Sequence, residues 1–107
     1  MSSSGAPEIT PLDGTGIHIA IVAGRWHGEI AGGLLAGAQR YLQTTGAIVS
    51  VVPVAGSFEL PVVAKAALDS GADAVVALGV IIRGGTPHFE YVADAATSGL
   101  TSVAVLT

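Results

Sequence analysis

Residues 83–88 place a cation, two glycines and a histidine in one run, Arg-Gly-Gly-Thr-Pro-His. Thr86 suits the N-cap of a helix and Pro87 suits its first position, so the two glycines would precede a helix N-terminus. Glycines let the backbone approach a ligand closely, and the free N–H groups of a first helical turn attract anions. His88 would lie beside the anion, where an imidazole can transfer protons. The alternative is an ordinary strand–helix connection with a surface histidine.

Two other short segments carry side chains that suit a ligand site. Trp26, the only tryptophan, stands between glycines in a turn, where it can stack on a planar ring or simply cover a sheet edge. His27 beside it is interpreted as a polar neighbour. Glu59 can accept hydrogen bonds from substrate hydroxyls, or it can satisfy a helix N-terminus. Phe58 in such a position is typically a core residue.

Composition excludes several classes of protein. The 107 residues carry a net charge of −4, no cysteine and only four basic residues, which are dispersed. Nucleic-acid binding, disulfides and thiol catalysis are therefore not expected. Metal-ligand spacing, a membrane-spanning run and a secretory signal are not found either, so we expect a cytoplasmic protein. Half of the residues are apolar and 11% are charged, which predicts a homo-oligomer that covers apolar surface.

The pattern of apolar residues predicts strands alternating with helices. A flexible arm is expected at 1–16 and one α/β domain at 17–107. The predicted strands are 17–23, 48–54, 74–82 and 101–107, and the predicted helices are 29–43, 61–70 and a third that begins at Pro87. The strand at 74–82 is expected to be buried on both faces.

The helices carry predictions of their own. In the helix 29–43 the apolar residues recur every four positions and are expected to face the core; they are Ile30, Leu34, Ala38 and Leu42. Gly46 and Gly71 are expected to end the first two helices. In the third helix one buried face is expected from the series Phe89, Val92, Ala93, Ala96 and Leu100.

Strands joined by helical crossovers are parallel, so the alternation predicts a flavodoxin-like three-layer sandwich with a four-stranded parallel sheet. In such a sheet, ligands bind beyond the carboxyl ends of the strands. The connections 24–28, 55–59 and 83–88 all follow predicted strands, so their polar and aromatic side chains should meet at one edge.

Three motifs in this order resemble the lumazine synthase family. They are Gly-Arg-Trp-His at 24–27, Gly-Ser-Phe-Glu-Leu-Pro at 56–61, and the run from Ala77 to Val92 that contains Arg-Gly-Gly-Thr-Pro-His-Phe. The resemblance extends from Gly16 to Thr101. It implies an enzyme that makes 6,7-dimethyl-8-ribityllumazine in riboflavin biosynthesis without a cofactor.

The resemblance also implies a role for each site residue. Trp26 would stack on the pyrimidine of 5-amino-6-(D-ribitylamino)uracil, and His88 would transfer protons. Glu59 would bind the ribityl hydroxyls. The remaining contacts would come from Ser57 and Phe58 to the ribityl chain, from Val80, Ile81 and Ile82 to the pyrimidine, and from Gly84, Gly85 and Thr86 to the phosphate of 3,4-dihydroxy-2-butanone 4-phosphate.

The resemblance also implies an assembly and a chain length. The resemblance implies a pentamer with sites shared between neighbours, and in some members a shell of 60 subunits. Family chains continue further and supply an arginine, a lysine and an aromatic residue that have no counterpart here, so a missing C-terminal part or a lost internal segment is expected. The rival hypothesis is a non-catalytic, shell-forming or ligand-binding module. A general flavodoxin-like nucleotide binder fits the three motifs less well.

Overall fold

The computed structural model describes residues 12–82 and 88–107. Its elements, in chain order, are β1 (His18–Gly24), α1 (Gly28–Thr45), β2 (Ile48–Val54), a 3-10 turn (Ser57–Glu59), α2 (Leu60–Asp69), β3 (Ala74–Leu78) and α3 (His88–Leu106). The predicted arm falls mostly outside the described residues, as does the segment 83–87 that carries Gly84, Gly85 and Thr86.

The three strands form a parallel sheet with the order β2-β1-β3. The predicted parallel α/β sheet is therefore confirmed. The central strand is β1, where Ile21 and Val22 have no exposed surface. Burying an aliphatic side chain of this size contributes about 1.5–3 kcal/mol. The hydrophobic centre of the sheet is thus β1, whereas the sequence had suggested the strand that begins at Ala74.

Alternate residues of β1 point to opposite faces, and helices cover both faces. Ile21 packs with Leu42 of α1 on one face. Val22 packs with Leu60 of α2 on the other face, where Leu100 of α3 also contacts the cluster. This two-sided burial explains why β1 is an almost continuous apolar run.

The buried stripe of α1 differs from the predicted one. Ile30 and Leu34 were expected to face the core, but they are 54% and 41% exposed. A repeat of four residues drifts by about 40° per step around a helix of 3.6 residues per turn, so the whole series cannot face one sheet. Leu35 and Leu42 keep a seven-residue spacing, and both pack against the sheet.

The observed end of α1 and the start and end of α2 lie where the glycines and the proline predict them. Gly46 follows α1 with φ 75°, and its N–H donates to the carbonyl of Gln43 at 3.4 Å. Pro61 lies in the first turn of α2, and Gly71 follows that helix with φ 115°. Both glycines adopt the left-handed conformation that commonly ends helices.

The predicted fourth strand is wrong, because residues 101–106 continue α3. The Thr101 hydroxyl donates to the Thr97 carbonyl at 2.8 Å, and the Thr107 N–H donates to the Val103 carbonyl at 3.0 Å. A short apolar run suits a strand or a helix equally by periodicity. The described part of the chain accordingly has three strands. Within it no helix combines the length and apolar character needed to cross a membrane.

β3 is also shorter and less buried than predicted. Its ladder with β1 ends where Ala23 pairs with Leu78, and its five residues are partly or largely exposed. Beyond that point the chain after β1 bonds to the β2 side: the backbone N–H of Arg25 donates to Val54 and Ala55, and that of Trp26 donates to Ala55. Residues 79–82 therefore have no β1 partner, and they follow the strand as an irregular segment.

Candidate functional site

The predicted site residues that the structure describes, except Glu59, line a cleft at the carboxyl edge of the sheet. All three connections contribute to its described lining, together with residues 80–82 and Val92. The lining residues are Trp26, His27, Ser57, Phe58, Val80, Ile81, Ile82, His88 and Val92. The predicted meeting of the three connections at one edge is confirmed for these residues. Parallel strands of one sheet present their carboxyl ends together, which brings distant parts of the chain into contact.

Trp26 projects from the β1–α1 connection and remains 61% exposed. The six-membered part of its indole lies against the backbone of Gly56, because a methyl group added at Gly56 would be 2.9 Å from Cε3 and 3.1 Å from Cζ3. The backbone N–H of Trp26 donates to the Ala55 carbonyl at 3.2 Å. The ring is therefore supported at Gly56 and keeps surface available for a planar ligand.

The 3-10 turn of residues 57–59 supplies the second wall. Ser57 is buried, and its hydroxyl lies 3.5 Å from the carbonyl oxygen of Val80, which links this turn to the segment after β3. Gly79 allows the close approach, since an added methyl group would overlap Ser57 and Leu60. Phe58 is 63% exposed and lines the cleft, so the interpretation of Phe58 as a core residue is wrong.

Glu59 lies beside this wall but is not among the residues that line the cleft. Its carboxylate makes no capping hydrogen bond to α2, so the helix-end interpretation is not supported. The Oε2 atom is buried and has no hydrogen-bond partner among the described residues. A buried carboxylate oxygen without a partner is costly, and a donor from a ligand would relieve that cost.

His88 is the first residue of α3 and is exposed at the cleft. Val92 follows four residues later on the same helical face, which accounts for its presence in the lining. The sequence did not single out Val92 as a site residue, although its spacing from His88 is the signal that could have done so. His27 also lines the cleft, and its backbone is left-handed with φ 61°.

The described lining encloses about 90 Å³. Small-molecule sites usually measure roughly 300–1,000 Å³, so these side chains form one part of a site for substrates of ordinary size. A larger cleft of about 300 Å³ lies at the amino ends of β1 and β2, near His18 and Ser50. Its lining is mostly small and apolar, and it lies away from the edge where parallel sheets bind ligands.

Among the described residues, no group of three histidine, cysteine, aspartate or glutamate side chains is arranged to hold a metal ion. The cleft instead combines an aromatic face, an irregular backbone segment after β3 and two imidazoles, those of His27 and His88. Such a set can bind a planar polar ring and transfer protons.

Comparison with known proteins agrees with this arrangement. Residues 16–107 match the sequence model of 6,7-dimethyl-8-ribityllumazine synthase. Proteins of that name are similar over nearly the whole chain in Clavibacter sepedonicus (72% identity, 100% of this chain and 68% of the relative) and in Leifsonia xyli subsp. xyli (66% identity, 100% and 68%). A third, from Clavibacter michiganensis subsp. michiganensis, is 68% identical over 99% of this chain and 68% of its own length.

Identity of this extent over the cleft and the sheet shows common descent. The chain belongs to the 6,7-dimethyl-8-ribityllumazine synthase family, which consists of transferases of riboflavin biosynthesis.

Proposed function

We propose that this protein condenses 5-amino-6-(D-ribitylamino)uracil with 3,4-dihydroxy-2-butanone 4-phosphate to form 6,7-dimethyl-8-ribityllumazine, as a cytoplasmic enzyme of flavodoxin-like fold. The observation that carries the proposal is the cleft where Trp26, Phe58 and His88 meet the segment 80–82. An aromatic face, backbone outside the β1–β3 ladder and an imidazole in one place suit a reaction that joins a planar ring to a small ketone.

The pyrimidine would stack on the exposed part of the Trp26 indole. Its polar edge would meet backbone groups of Val80, Ile81 and Ile82, which follow the end of the β1–β3 ladder at Leu78. Backbone N–H and C=O groups outside a strand ladder are suited to hydrogen-bonding with the amide edge of a pyrimidine.

The ribityl chain would extend along the 3-10 turn. Backbone groups of Ser57 and Phe58 would contact it, and hydroxyl groups would donate to Glu59. The Oε2 atom of Glu59 is buried and has no hydrogen-bond partner within residues 12–82 and 88–107, which supports this role because a hydroxyl donor would satisfy it.

The phosphate would bind to Gly84, Gly85 and Thr86, which lie outside the described residues. The segment joins Ile82 to His88, and both of these residues line the cleft. A phosphate held there would be close to the N-terminus of α3, where the helix dipole favours negative charge.

The reaction then follows from proximity and proton transfer. The 5-amino group attacks the ketone and water is lost, which forms a Schiff base. Loss of a proton from C3 expels phosphate from C4 and leaves an enol, which tautomerises to a new carbonyl at C3. The ribityl-bearing nitrogen attacks this carbonyl, and the ring closes with loss of a second water. His88 would move protons in these steps, while holding both substrates together supplies much of the acceleration.

Turnover of purified protein, followed by product absorbance, tests the proposal. His88→Ala should lower kcat by roughly 10²-fold or less, because general acid–base catalysis contributes on that order and substrate groups also move protons. Affinity for the product should hardly change. His18→Ala, at the opposite end of β1, is the matched control and should keep full activity.

Two results would contradict the proposal. Full activity in His88→Ala would remove this residue from the mechanism. Product binding without turnover in the unmodified protein would instead favour the non-catalytic, shell-forming or ligand-binding module.

We further propose that the protein is a homo-oligomer, a pentamer that can extend to a 60-subunit shell, with sites completed by neighbours. The small cleft and the exposed apolar side chains support this. Val62 is 68% exposed, Tyr91 is 70% exposed and Leu12 is 62% exposed. Covering such side chains contributes about 25 cal/mol per Å² of apolar area.

The arm of residues 1–16 is proposed to dock on an adjacent subunit. Deleting residues 1–12 should then lower the oligomeric mass and the activity together, as measured by light scattering on a sizing column beside the turnover assay. A deletion variant of unchanged mass and activity, or an active monomer, would contradict the proposal.

A further inference from the structure

The connection between β1 and α1 contains a backbone feature that the proposed mechanism does not use. His27 has φ 61° and ψ 57°, and among the described residues it is the only non-glycine residue with a positive φ. This left-handed region is sterically unfavourable for L-residues, although histidine, asparagine and aspartate enter it more readily than others. A β-branched residue there is a genuine outlier.

The backbone is held on both sides of this residue. Upstream, the N–H groups of Arg25 and Trp26 donate to the Ala55 carbonyl, each at 3.2 Å. Downstream, the carbonyl of His27 accepts the first helical hydrogen bond from Ala31 at 3.0 Å. His27 thus lies between the segment that is hydrogen-bonded to the chain after β2 and the first turn of α1. The chain changes direction at this one residue.

This turn directly follows the residue whose indole forms one wall of the cleft. Trp26 rests against Gly56 so closely that a methyl group there would meet the ring at 2.9 Å. The side chain of Trp26 is 61% exposed, so packing constrains it only in part. The backbone on either side of it therefore contributes to its placement.

We propose that His27 is a positioning residue whose left-handed backbone holds the Trp26 indole against Gly56 and so shapes the ring-binding wall of the cleft. The imidazole itself is not required. This inference rests on the proposed function for the identity of the bound ring, whereas the placement of the indole does not depend on it.

Variants that differ in tolerance of the left-handed region test the proposal. His27→Asn and His27→Gly tolerate it and should preserve both the emission maximum of Trp26, the only tryptophan, and its quenching by acrylamide. His27→Val should shift both, and its kcat/KM should fall by about 10²-fold, which is the cost of a misplacement of about 1 Å. If the valine variant does not fold, His27→Ala replaces it and should show the same change to a smaller degree.

The matched control is His18→Val, which makes the same replacement in β1, where valine suits a strand. It should leave Trp26 emission and kcat/KM unchanged. Equal losses in the asparagine, glycine and valine variants would overturn the proposal and show that the imidazole acts directly. Unchanged emission and kinetics in a folded valine or alanine variant would overturn it as well. If the unmodified protein forms no lumazine, the proposed function fails, but the emission series still tests the placement of the indole.

Discussion

Gly56→Ala isolates the contact between the backbone after β2 and the indole of Trp26. Gly56 has φ −150° and ψ −177°, an extended conformation that alanine adopts without strain. The new methyl carbon would be 2.9 Å from Cε3 and 3.1 Å from Cζ3 of Trp26. Ordinary carbon contacts lie at about 3.5–4.0 Å, so the ring must move by roughly 0.5–1 Å.

The free energy of unfolding should change by less than about 1 kcal/mol. Alanine at a compatible position stabilises by about 0.4–1 kcal/mol because it restricts the unfolded chain. Displacing the ring from its preferred rotamer costs about 0.5–1.5 kcal/mol, and the two contributions nearly cancel. The ring has room to move, because Trp26 is 61% exposed.

Function should respond much more strongly than stability. A ring displaced by up to about 1 Å should lower kcat/KM for the ribitylaminouracil by up to about 10²-fold. Urea unfolding, Trp26 emission and product absorbance measure the three quantities. Gly33→Ala is the control, because it adds the same methyl group on α1, where no atom of the described residues beyond its own stretch of helix lies within 4 Å. It should leave emission and kcat/KM unchanged.

Two outcomes would refute this reasoning. Changed emission together with unchanged kcat/KM would show that the indole does not bind substrate from its position on Gly56. A loss of more than about 3 kcal/mol in the free energy of unfolding would show that the ring cannot move aside. A loss of this kind is typical of overpacking at a buried position.

Further predictions concern stability. Gly79→Ala should destabilise by about 1–3 kcal/mol in urea unfolding, because its methyl group would overlap the Ser57 side chain, and a neutral effect would refute this packing. Gly33→Ala should raise the free energy of unfolding by about 0.5–1 kcal/mol through helix propensity, whereas destabilisation would contradict the open space around it. Hydrogen bonds from Thr15 lower the pKa of Asp13, so this carboxylate stabilises the fold above its unfolded pKa and the contribution is lost as the pH falls through the lowered value. Asp13→Asn should therefore reduce the loss of stability below about pH 4, and an identical acid profile would contradict this.

Much of the local structure follows from sequence. The strand Ile48–Val54 has its predicted ends, and Gly46 and Gly71 follow helices as expected. These features depend on neighbouring residues alone: β-branched runs, and glycine where φ must be positive. In the predicted face of α3, Ala96 is buried at 7% exposure, whereas Phe89, Val92, Ala93 and Leu100 are half-buried.

The errors fall where distant partners decide the outcome. Residues 101–106 are apolar enough for a strand, but they continue α3, whose Leu100 packs against the cluster around Val22 and Leu60. Ile30 was placed in the core by local spacing, yet the orientation of α1 on the sheet leaves it exposed. A residue's own neighbours do not determine which face of a helix meets the sheet.

The candidate site shows the same division. The types of its residues, an aromatic ring at Trp26 and an imidazole at His88, are evident from sequence because chemistry resides in side chains. That both line one cleft follows from parallel strands ending at a common edge. The left-handed backbone of His27 and the contact of Trp26 with Gly56 were decided only by tertiary structure, since each arises where the end of β2 fixes the chain beyond β1. Contacts between segments distant in sequence are set by how the elements pack, and no local pattern encodes them.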